Sequence, residues 1–340
     1  MEKVIVVVVT YNRKKLLSEC IAAIRNQTYP VHKILVINNG SIDGTEAWLK
    51  KQTDIEFITQ KNTGSAGGFN TGIKKAFNET FKWMWLMDDD GYPAEDALEK
   101  LLEPNLDDLC LRTCAVISKE DKKSFVWKTK NFKTIDDVSE TLLKNNIHPF
   151  NGTLLHRKIV ERVGFPNPHL FLWGDETEYY FRIIKRDKIP AYTILNSIHY
   201  HPAAAFSYKK DWDFATSWKM YYYIRNRFYI LKTQYSFSRP FAMFTYFIFL
   251  LFYAASILKY QKTDKMKKLE FIFWPAKDAL YNNLNITPPV ILEKLRTMQS
   301  SFQFFIDGVK NFKSYDRMPD NHARVHKIIL HKERSSDKVY

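Results

Sequence analysis

Trp83-Met-Trp-Leu-Met-Asp-Asp-Asp-Gly91 is an apolar run that ends abruptly in three aspartates and a glycine. An apolar run of strand length with such an end predicts a buried β-strand that carries its acids to the edge of a sheet. Neighbouring carboxylates repel one another, and they persist in a folded cleft when a cation or several hydrogen-bond donors offset their charge. A bound divalent metal ion is the simplest such cation.

Alternate residues of a strand point to the same side, so Asp88 and Asp90 would share a site while Asp89 faces elsewhere. A few oxygen ligands suit Mg²⁺ or Mn²⁺ that is held jointly with substrate phosphates. A solvated acidic turn is the alternative interpretation, because Asp-Asp and Asp-Gly pairs are common where strands end. Other segments of the chain help to decide between a metal site and a solvated turn.

The residues before this strand alternate between strand and helix patterns. In chain order the predicted elements are a strand at Val4–Val9, a helix at Leu16–Asn26, a strand at Lys33–Ile37, a helix through Trp48 and a strand at Ile55–Ile58. Such alternation indicates an α/β domain with a mostly parallel sheet, in which ligands bind at the carboxyl ends of the strands. Polar segments follow these ends at Thr10–Arg13, Asn38–Gly44 and Asp88–Asp90. We therefore expect the three segments to converge on one site.

Asn62-Thr-Gly-Ser-Ala-Gly-Gly-Phe-Asn-Thr-Gly72 is dense in glycine and leads into a helical pattern at Ile73–Phe77. A glycine-rich loop at the start of a helix lets backbone N–H groups approach a phosphate. The spacing differs from the dinucleotide-binding G-x-G-x-x-G pattern. Close packing of the backbone explains the glycines equally well.

These segments together resemble the family 2 glycosyltransferases, which have the GT-A fold. The resemblance rests on the order and spacing of the Val-Val-Val-Val-Thr-Tyr-Asn-Arg start, the Asn-Asn-Gly-Ser-Ile-Asp-Gly-Thr turn, the Gly-Gly-Phe-Asn-x-Gly loop and Asp-Asp-Asp. It implies that Asp88 and Asp90 hold Mn²⁺ or Mg²⁺. The residues expected to bind the nucleotide-sugar are Thr10, Asn12, Arg13, Asn38, Gly67, Gly68, Asn70, Asp88 and Asp89. Family members commonly have an acid where this chain has Asn38, although an amide can still hydrogen-bond there.

Trp173-Gly-Asp-Glu176 begins a second acidic segment, at the predicted start of a helix. The positive end of a helix favours ionised carboxylates, and an ionised carboxylate can take a proton from an attacking hydroxyl. An acidic helix N-terminus beside a core tryptophan is the plainer interpretation. The resemblance implies that this segment supplies the catalytic base, with Asp175 as first choice and Glu176 as second. Trp173 would stack on an acceptor sugar.

Ala191–Ile198 is predicted to be an edge strand that runs into His199-Tyr-His201-Pro. The resemblance implies that a histidine after this strand completes the metal site. His199 and His201 point to the same side of an extended chain, so spacing does not choose between them. We favour His201, because Pro202 marks the end of the strand.

Met220-Tyr-Tyr-Tyr-Ile-Arg-Asn-Arg-Phe-Tyr229 starts a long helical pattern. The Tyr…Arg-Asn-Arg order is similar to family 2 members that transfer galactofuranose or rhamnose. The Gly-Gly-Phe loop, the triple aspartate and Trp-Gly-Asp-Glu favour the galactofuranosyl members. Arg225 or Arg227 would contact the donor diphosphate, or both belong to a basic helix face.

The formal net charge of +14 lies mostly in residues 209–340, which hold 23 lysines and arginines against 11 aspartates and glutamates. A local basic excess indicates an anionic partner, either nucleic acid or a membrane surface. The basic residues accompany an apolar aromatic segment and no recognised nucleic-acid motif. We therefore predict an anionic membrane surface as partner and no nucleic acid.

Phe241–Leu258 is a run of 18 uncharged residues between Arg239 and Lys259. This length is at the lower limit for a helix that spans a bilayer. A helix that lies in the membrane interface explains the same facts, as does a hairpin buried in the C-terminal region. All three keep the catalytic part in the cytoplasm, which also suits three cysteines without a disulfide or zinc spacing.

The sequence and the resemblance predict an α/β catalytic domain of GT-A type at 1–215. They also predict a helical, basic, membrane-associating region at 216–340. The expected activity is an inverting, metal-dependent transfer of a sugar to a glycan or lipid-linked glycan in cell-surface polysaccharide synthesis. UDP-galactofuranose is the favoured donor and dTDP-rhamnose the alternative. We expect the protein to be cytoplasmic and bound, peripherally or integrally, at the inner face of the cell membrane. A non-catalytic glycan- or nucleotide-binding module is the alternative of another class.

Overall fold

The computed structural model describes residues 2–129, 132–146, 150–203 and 209–298. Within them the strands are β1 (Val4–Thr10), β2 (Lys33–Asn38), β3 (Ile55–Thr59), β4 (Trp83–Asp88), β5 (Tyr92–Pro93), β6 (Leu111–Ser118), β7 (Ser124–Thr129), β8 (Phe132–Thr134), β9 (Leu142–Lys144), β10 (Asn151–His156) and β11 (Ala191–His201). The α-helices are α1 (Lys14–Arg25), α2 (Thr45–Leu49), α3 (Gly64–Asn78), α4 (Ala97–Leu102), α5 (Arg157–Val163), α6 (Asp175–Phe181), α7 (Lys219–Gln234), α8 (Arg239–Tyr260) and α9 (Lys265–Leu280). Residues 299–340, the last part of the basic region predicted at 216–340, lie outside the described residues.

One mixed sheet has the strand order β3-β2-β1-β4-β10-β6-β11-β5. Strands β3, β2, β1 and β4 are parallel, and β10 is antiparallel to both of its neighbours, β4 and β6. The chain moves outward from β1 to β3 and then returns to the other side of β1 as β4. This reversal makes the carboxyl ends of β1 and β4 a topological switch point, where open α/β sheets bind their ligands.

All seven residues of β1 are buried, because helices cover both faces of the sheet. Val4, Val6 and Val8 pack on the side of α1, while Val7 and Val9 pack on the side of α3. Burial on both faces explains the unbroken β-branched run, which lacks the polar alternation of a half-exposed strand.

The glycine-rich stretch is helical, which corrects the predicted loop. Helix α3 begins at Gly64, so the expected start at Ile73 is wrong. A Cβ on Gly68 would lie 2.5 Å from Val9 Cγ1, and a Cβ on Gly72 would lie 2.3 Å from Val7 Cγ1. These glycines therefore allow α3 to pack directly on β1, as the close-packing interpretation proposed.

The predicted edge strand is an interior strand of the sheet. Strand β11 continues to His201 and pairs with β6 along one side. Its other side pairs with β9 near its start and with β5 at His199 and Tyr200. This double pairing places His199 beside Gly91, the residue that ends the triple-aspartate segment.

Helices α7, α8 and α9 pack on one another through an aromatic core, and α7 also packs against α6. The buried Lys268 of α9 lies 2.7 Å from Asp211 Oδ1, which joins the start of this helical region to its last helix. The division of the chain between residues 215 and 216 stays a prediction.

Helix α8 is long and apolar enough to cross a membrane by length and composition, and 28% of its apolar window is buried. One side packs on α7 and α9 through Ala242, Tyr246 and Tyr253. The opposite side exposes a row of large apolar side chains, which comprises Phe244, Phe247, Ile248, Leu251, Phe252 and Leu258. A helix with one face exposed does not fit the buried-hairpin interpretation.

Candidate active site

Thr10, at the carboxyl end of β1, is joined to the acidic segment that follows β4. Its hydroxyl donates to Asp89 Oδ2 at 2.6 Å. Arg13 Nη1 donates to Asp89 Oδ1 at 3.1 Å and to Asp90 Oδ2 at 2.7 Å. Burial raises the pKa of Asp89 to about 6, although Arg13 and Thr10 favour its ionised form. Asp89 therefore anchors the acids to β1, and Arg13 partly offsets their charge.

Asp90 meets His201 at the end of β11, with 3.3 Å between Oδ1 and Nε2. The other ring nitrogen of His201 lies 2.8 Å from the Pro202 carbonyl oxygen. Burial raises the pKa of Asp90, but the neighbouring His201 and Arg13 outweigh it and lower this pKa to about 2. Asp90 Oδ1 is buried and receives no hydrogen bond. Asp90 Oδ1 and His201 Nε2 face each other, and together they are a suitable pair of ligands for Mn²⁺ or Mg²⁺.

His199 differs from His201 in its surroundings. It is fully buried, neither ring nitrogen has a hydrogen-bond partner, and a Cβ on Gly91 would lie 2.3 Å from its Nε2. Burial lowers the pKa of His199 to about 3, assisted by the charge of His201. In the described part of the chain, no three histidine, cysteine or acidic side chains are arranged around a common point as metal ligands. Of the four predicted metal ligands, the structure thus brings Asp90 and His201 into contact.

Asp88 couples the first acidic segment to the second. Burial raises its pKa well above the ordinary range, and the charges of Asp90, Asp89 and Glu176 raise it further. Glu176 lies near the start of α6, far along the chain from β4. The charge of Glu176 therefore acts on Asp88, although the two acidic segments are far apart in the sequence.

Asp175 is the first residue of α6 and is fully buried. Ser65 Oγ, from the start of α3, donates to Asp175 Oδ2 at 3.4 Å. Burial raises the pKa of Asp175 well above the ordinary range, and the charge and the side-chain hydrogen bond of Glu176 add to this. Burial thus opposes the ionised form of Asp175 that the helix terminus was expected to favour. Glu176 retains exposed surface beside it.

Asn12 and Asn38 both support the turn after β2. Asn12 Oδ1 accepts from the Ile42 N–H at 2.7 Å, and Asn38 Oδ1 accepts from the Ser41 N–H at 3.0 Å. Asn12 has a left-handed backbone with φ 54° and is exposed, whereas Asn38 is fully buried. Asn12 can therefore meet a ligand directly. A nucleotide contact for either residue stays a prediction.

Gly67, Gly68 and Asn70 lie inside α3 and are buried. A Cβ on Gly67 would lie 2.2 Å from Thr63 Oγ1, and Asn70 Nδ2 donates to the Pro166 carbonyl at 2.7 Å. All three residues take part in packing. The prediction of a phosphate-binding loop here is therefore wrong, because these residues are part of a helix. Their contact with a donor stays a prediction.

Trp173 is half-buried and lies two residues before Asp175. Its ring packs edge-on against Tyr223 at 6.4 Å between centroids, and Lys219 Nζ lies 5.7 Å from the ring centroid. Stacking on an acceptor sugar stays a prediction for the part of the ring that is exposed.

The sequence profile described as glycosyl transferase family 2 matches residues 5–164. Galactofuranosyltransferase GlfT1 of Mycobacterium tuberculosis (strain H37Rv) is 30% identical over 223 residues, which cover 61% of this chain and 73% of that protein. The chain belongs to glycosyl transferase family 2. GlfT1 of Mycolicibacterium smegmatis is likewise 30% identical over 223 residues, with 61% of this chain and 74% of that protein covered. An uncharacterized glycosyltransferase of Haemophilus influenzae is 32% identical over 175 residues, which cover 46% of this chain and 52% of that protein.

Two solved structures resemble the chain at lower levels of similarity. GalNAc-T7 with UDP, GalNAc and Mn²⁺ has a TM-score of 0.48 and 14% identity, and covers 59% of this chain and 43% of its own. Staphylococcus aureus TarS 1-349 in complex with UDP has a TM-score of 0.45 and 13% identity, and covers 84% of this chain and 75% of its own.

As a family 2 glycosyltransferase, the chain is an enzyme of the predicted class. Membership of the family and the mixed sheet with helices on both faces confirm the α/β fold of GT-A type. The similarity to GlfT1 confirms the resemblance to the galactofuranosyltransferase subset.

Arg225 and Asn226 have a role that the sequence analysis missed. Both are fully buried, and Arg225 donates to the backbone carbonyls of His169 and Leu170. The predicted contact of Arg225 with the donor diphosphate is therefore wrong, because its guanidinium is enclosed in protein. The neighbouring Arg227 stacks over Tyr223 and Phe249, both aromatic residues of the helical region. The Arg-Asn-Arg pattern identifies these residues in the sequence but does not indicate which groups they contact.

Proposed function

We propose that this enzyme transfers galactofuranose from UDP-galactofuranose to a glycan or lipid-linked glycan, with inversion at the anomeric carbon. The observation that carries the proposal is the meeting of the acids after β4 with Thr10, Arg13 and His201 at the switch point of the sheet. The similarity to GlfT1 supports galactofuranose as the sugar.

Asp90 and His201, which are in contact, would hold Mn²⁺ or Mg²⁺ in this enzyme, and Asp88 stays a predicted third ligand. Such an ion supplies positive charge against the diphosphate leaving group. The buried Oδ1 of Asp90, which lies 3.3 Å from His201 Nε2, supports the choice of ligands. Arg13 already holds Asp89 and Asp90 in place, so it orients the acids toward the donor.

The acceptor hydroxyl would lose its proton to the pair formed by Asp175 and Glu176. Asp175 and Glu176 share a side-chain hydrogen bond, and burial disfavours the ionised form of Asp175 by raising its pKa. Glu176 is the member with exposed surface, so it is the one that an acceptor hydroxyl reaches. Asp175 then acts behind it and fixes its orientation. A single displacement inverts the configuration and requires no covalent enzyme intermediate.

The acceptor end of the site lies near Trp173 and the C-terminal helices. An exposed part of the Trp173 ring can stack on the C–H face of a sugar. The apolar row on α8 would rest on an anionic membrane surface, where Lys259 and Lys262 meet lipid headgroups. Because the other side of α8 packs on α7 and α9, we propose that this helix lies along the cytoplasmic surface of the membrane and does not cross it.

A donor titration tests the proposed function. Calorimetry would compare UDP-galactofuranose, UDP-galactopyranose and dTDP-rhamnose, each with and without Mn²⁺, and NADH as a ligand outside the class. We expect metal-dependent binding of UDP-galactofuranose that is tighter than that of the other two sugars. Preference for dTDP-rhamnose would change the donor, and binding of none by folded protein with metal present would overturn the proposal.

A further inference from the structure

The backbone just before Asp175 and Glu176 is strained. Phe171 has φ 65° and Trp173 has φ 57°, although both carry side chains that disfavour positive φ. Gly174 follows with φ 108°. Such a conformation persists where neighbouring groups determine it, and it is often found next to functional residues. Residues 169–174 form this strained segment, and contacts with neighbouring helices hold it in place.

Asn226 of α7 contacts the segment through its side-chain amide. Asn226 Nδ2 donates to the carbonyl oxygens of Leu170 at 2.9 Å, Leu172 at 2.9 Å and Trp173 at 3.0 Å. An amide nitrogen has two hydrogens, so the three carbonyls share them. The three carbonyls converge on one point, which requires the unusual backbone angles between them.

Arg225 supports Asn226 from the adjacent position. Its Nε donates to Asn226 Oδ1 at 3.0 Å, which fixes the direction of the amide. Its Nη2 donates to the carbonyls of Leu170 at 2.9 Å and His169 at 3.2 Å. Both side chains are fully buried, so no water competes for these bonds.

Helix α3 holds the segment from the opposite side. The Ala66 N–H donates to the Phe171 carbonyl at 3.2 Å, and a Cβ on Gly64 would lie 1.9 Å from that same oxygen. The Phe171 ring stacks on Tyr222 of α7 at 4.9 Å between centroids. The segment is therefore fixed between α3 and α7, and it leads directly into the two acids of α6.

We propose that Asn226, oriented by Arg225, is a positioning residue for the catalytic base. It acts by setting the backbone of residues 169–174 and hence the place of Asp175 and Glu176. The C-terminal helical region thereby completes the active site of the family 2 domain. This inference rests on the proposed function, because it takes these two acids as the base.

Asn226→Asp tests the inference with little change of shape. The substitution replaces the donor Nδ2 with an acceptor oxygen that repels the three carbonyls. Tyr229→Phe is the matched control, because it removes a hydrogen bond, to Asn282, from the same helix and removes none to Arg225, Asn226 or residues 169–174. We expect kcat for transfer to fall about 100-fold in Asn226→Asp, since a small misplacement of a reacting group has such an effect. The donor dissociation constant should stay within about twofold of the wild-type value, because the donor contacts lie on other elements.

Hydrogen exchange provides a second readout that does not depend on turnover. Amides in residues 170–176 should exchange faster in Asn226→Asp than in wild type and in Tyr229→Phe, while those of β1 and β4 stay protected. Asn226→Ala would be measured in the same way if the aspartate variant does not fold. If the wild type transfers no sugar, the proposed function fails while the exchange result still decides whether Asn226 holds this segment.

Three outcomes would overturn the inference. The first is unchanged transfer in a folded variant, and the second is unchanged exchange in residues 170–176. The third is a loss of donor binding that matches the loss of transfer, since it would show a general structural defect. A fall in kcat with intact donor binding and local loss of protection supports it.

Discussion

His201 Nε2 lies 3.3 Å from Asp90 Oδ1, at the point where the end of β11 meets the segment after β4. Two chain segments separated by most of the catalytic domain thus place an imidazole and a carboxylate face to face. The same Asp90 binds Arg13 through its other oxygen at 2.7 Å. Asp90 therefore joins His201 at the end of β11 to Arg13, the residue before α1.

Asp90→Ala should abolish most of the transfer activity while leaving acceptor glycan binding intact. The substitution removes a ligand of the proposed metal and a partner of Arg13, so charge on the leaving group would be less well stabilised. We expect kcat to fall by at least about 100-fold, measured as transfer of radiolabelled sugar over a range of Mn²⁺ concentrations. Glu103→Ala, which removes an exposed acid on the far side of α4, should behave like wild type. Unchanged turnover in Asp90→Ala would refute the metal assignment.

The two acids at the start of α6 should differ in their response to amide substitution. Glu176→Gln removes the group that an acceptor hydroxyl reaches, so kcat should fall about 100-fold to 10,000-fold. Asp175→Asn replaces a carboxyl whose ionised form burial disfavours with an amide of similar shape, which can still donate to Glu176. The loss there should be nearer tenfold.

Kinetics with saturating donor would distinguish these two carboxyl groups. Donor affinity, measured by calorimetry with UDP, should be unchanged in both variants, because neither acid is needed for nucleotide binding. A larger loss in Asp175→Asn than in Glu176→Gln would make Asp175 the base, as the sequence analysis first preferred.

The catalytic end of the sheet could be predicted from the sequence because its signals are local. The buried run of β1, the acids after β4 and the polar segments between them follow from periodicity and from the rule that ligands bind at strand carboxyl ends. Gly68 misled the prediction, since glycine indicates a loop unless a neighbouring element packs closely. Here that neighbour is Val9 of β1.

The contacts of Asn226 and Asp175 could not be predicted in this way. Asn226 binds carbonyls more than fifty residues earlier in the chain, at separations of 53 to 56 residues. The pKa of Asp175 depends on burial beneath α3, which the sequence of α6 does not reveal. Both features arise from tertiary packing, so residue type alone predicts neither the partners of Asn226 nor the pKa shift of Asp175.

The ion pair between Asp211 and Lys268 should make the stability of the helical region depend on pH. The hydrogen bond from Lys268 lowers the pKa of Asp211 to about 2. Since this folded-state pKa lies below the unfolded value of about 3.9, the pair stabilises the folded protein above about pH 4. That contribution is lost as the pH falls from about 4 to about 2.

Asp211→Asn should lower the free energy of unfolding at pH 7 by about 1–3 kcal/mol, because a fully buried ammonium loses its counter-charge. The difference from wild type should narrow toward about pH 3. Thermal unfolding followed by circular dichroism at both pH values measures this. Glu270→Gln, on the exposed side of α9, makes the same change in charge and should leave stability nearly unchanged. A constant difference at both pH values would contradict the assigned role of Asp211.

The exposed row on α8 should govern binding to membranes. Phe247 and Leu251 are 57% and 52% exposed and lie one helical turn apart. Burying such side chains in a lipid interface contributes about 1.5–3 kcal/mol each. The double substitution Phe247→Asp and Leu251→Asp should therefore reduce partitioning to anionic phospholipid vesicles at least about 100-fold.

Vesicle co-sedimentation measures this effect, and transfer to a soluble acceptor should be unchanged because the row lies outside the active site. Lys74→Asp on α3 changes the net charge by the same amount as the double substitution and should bind vesicles like wild type. Because α8 has one side packed on α7 and α9, alkaline carbonate should release the bound wild-type protein. Resistance to that extraction would indicate a spanning helix instead, and equal binding by the double variant would rule out the α8 face as the membrane contact.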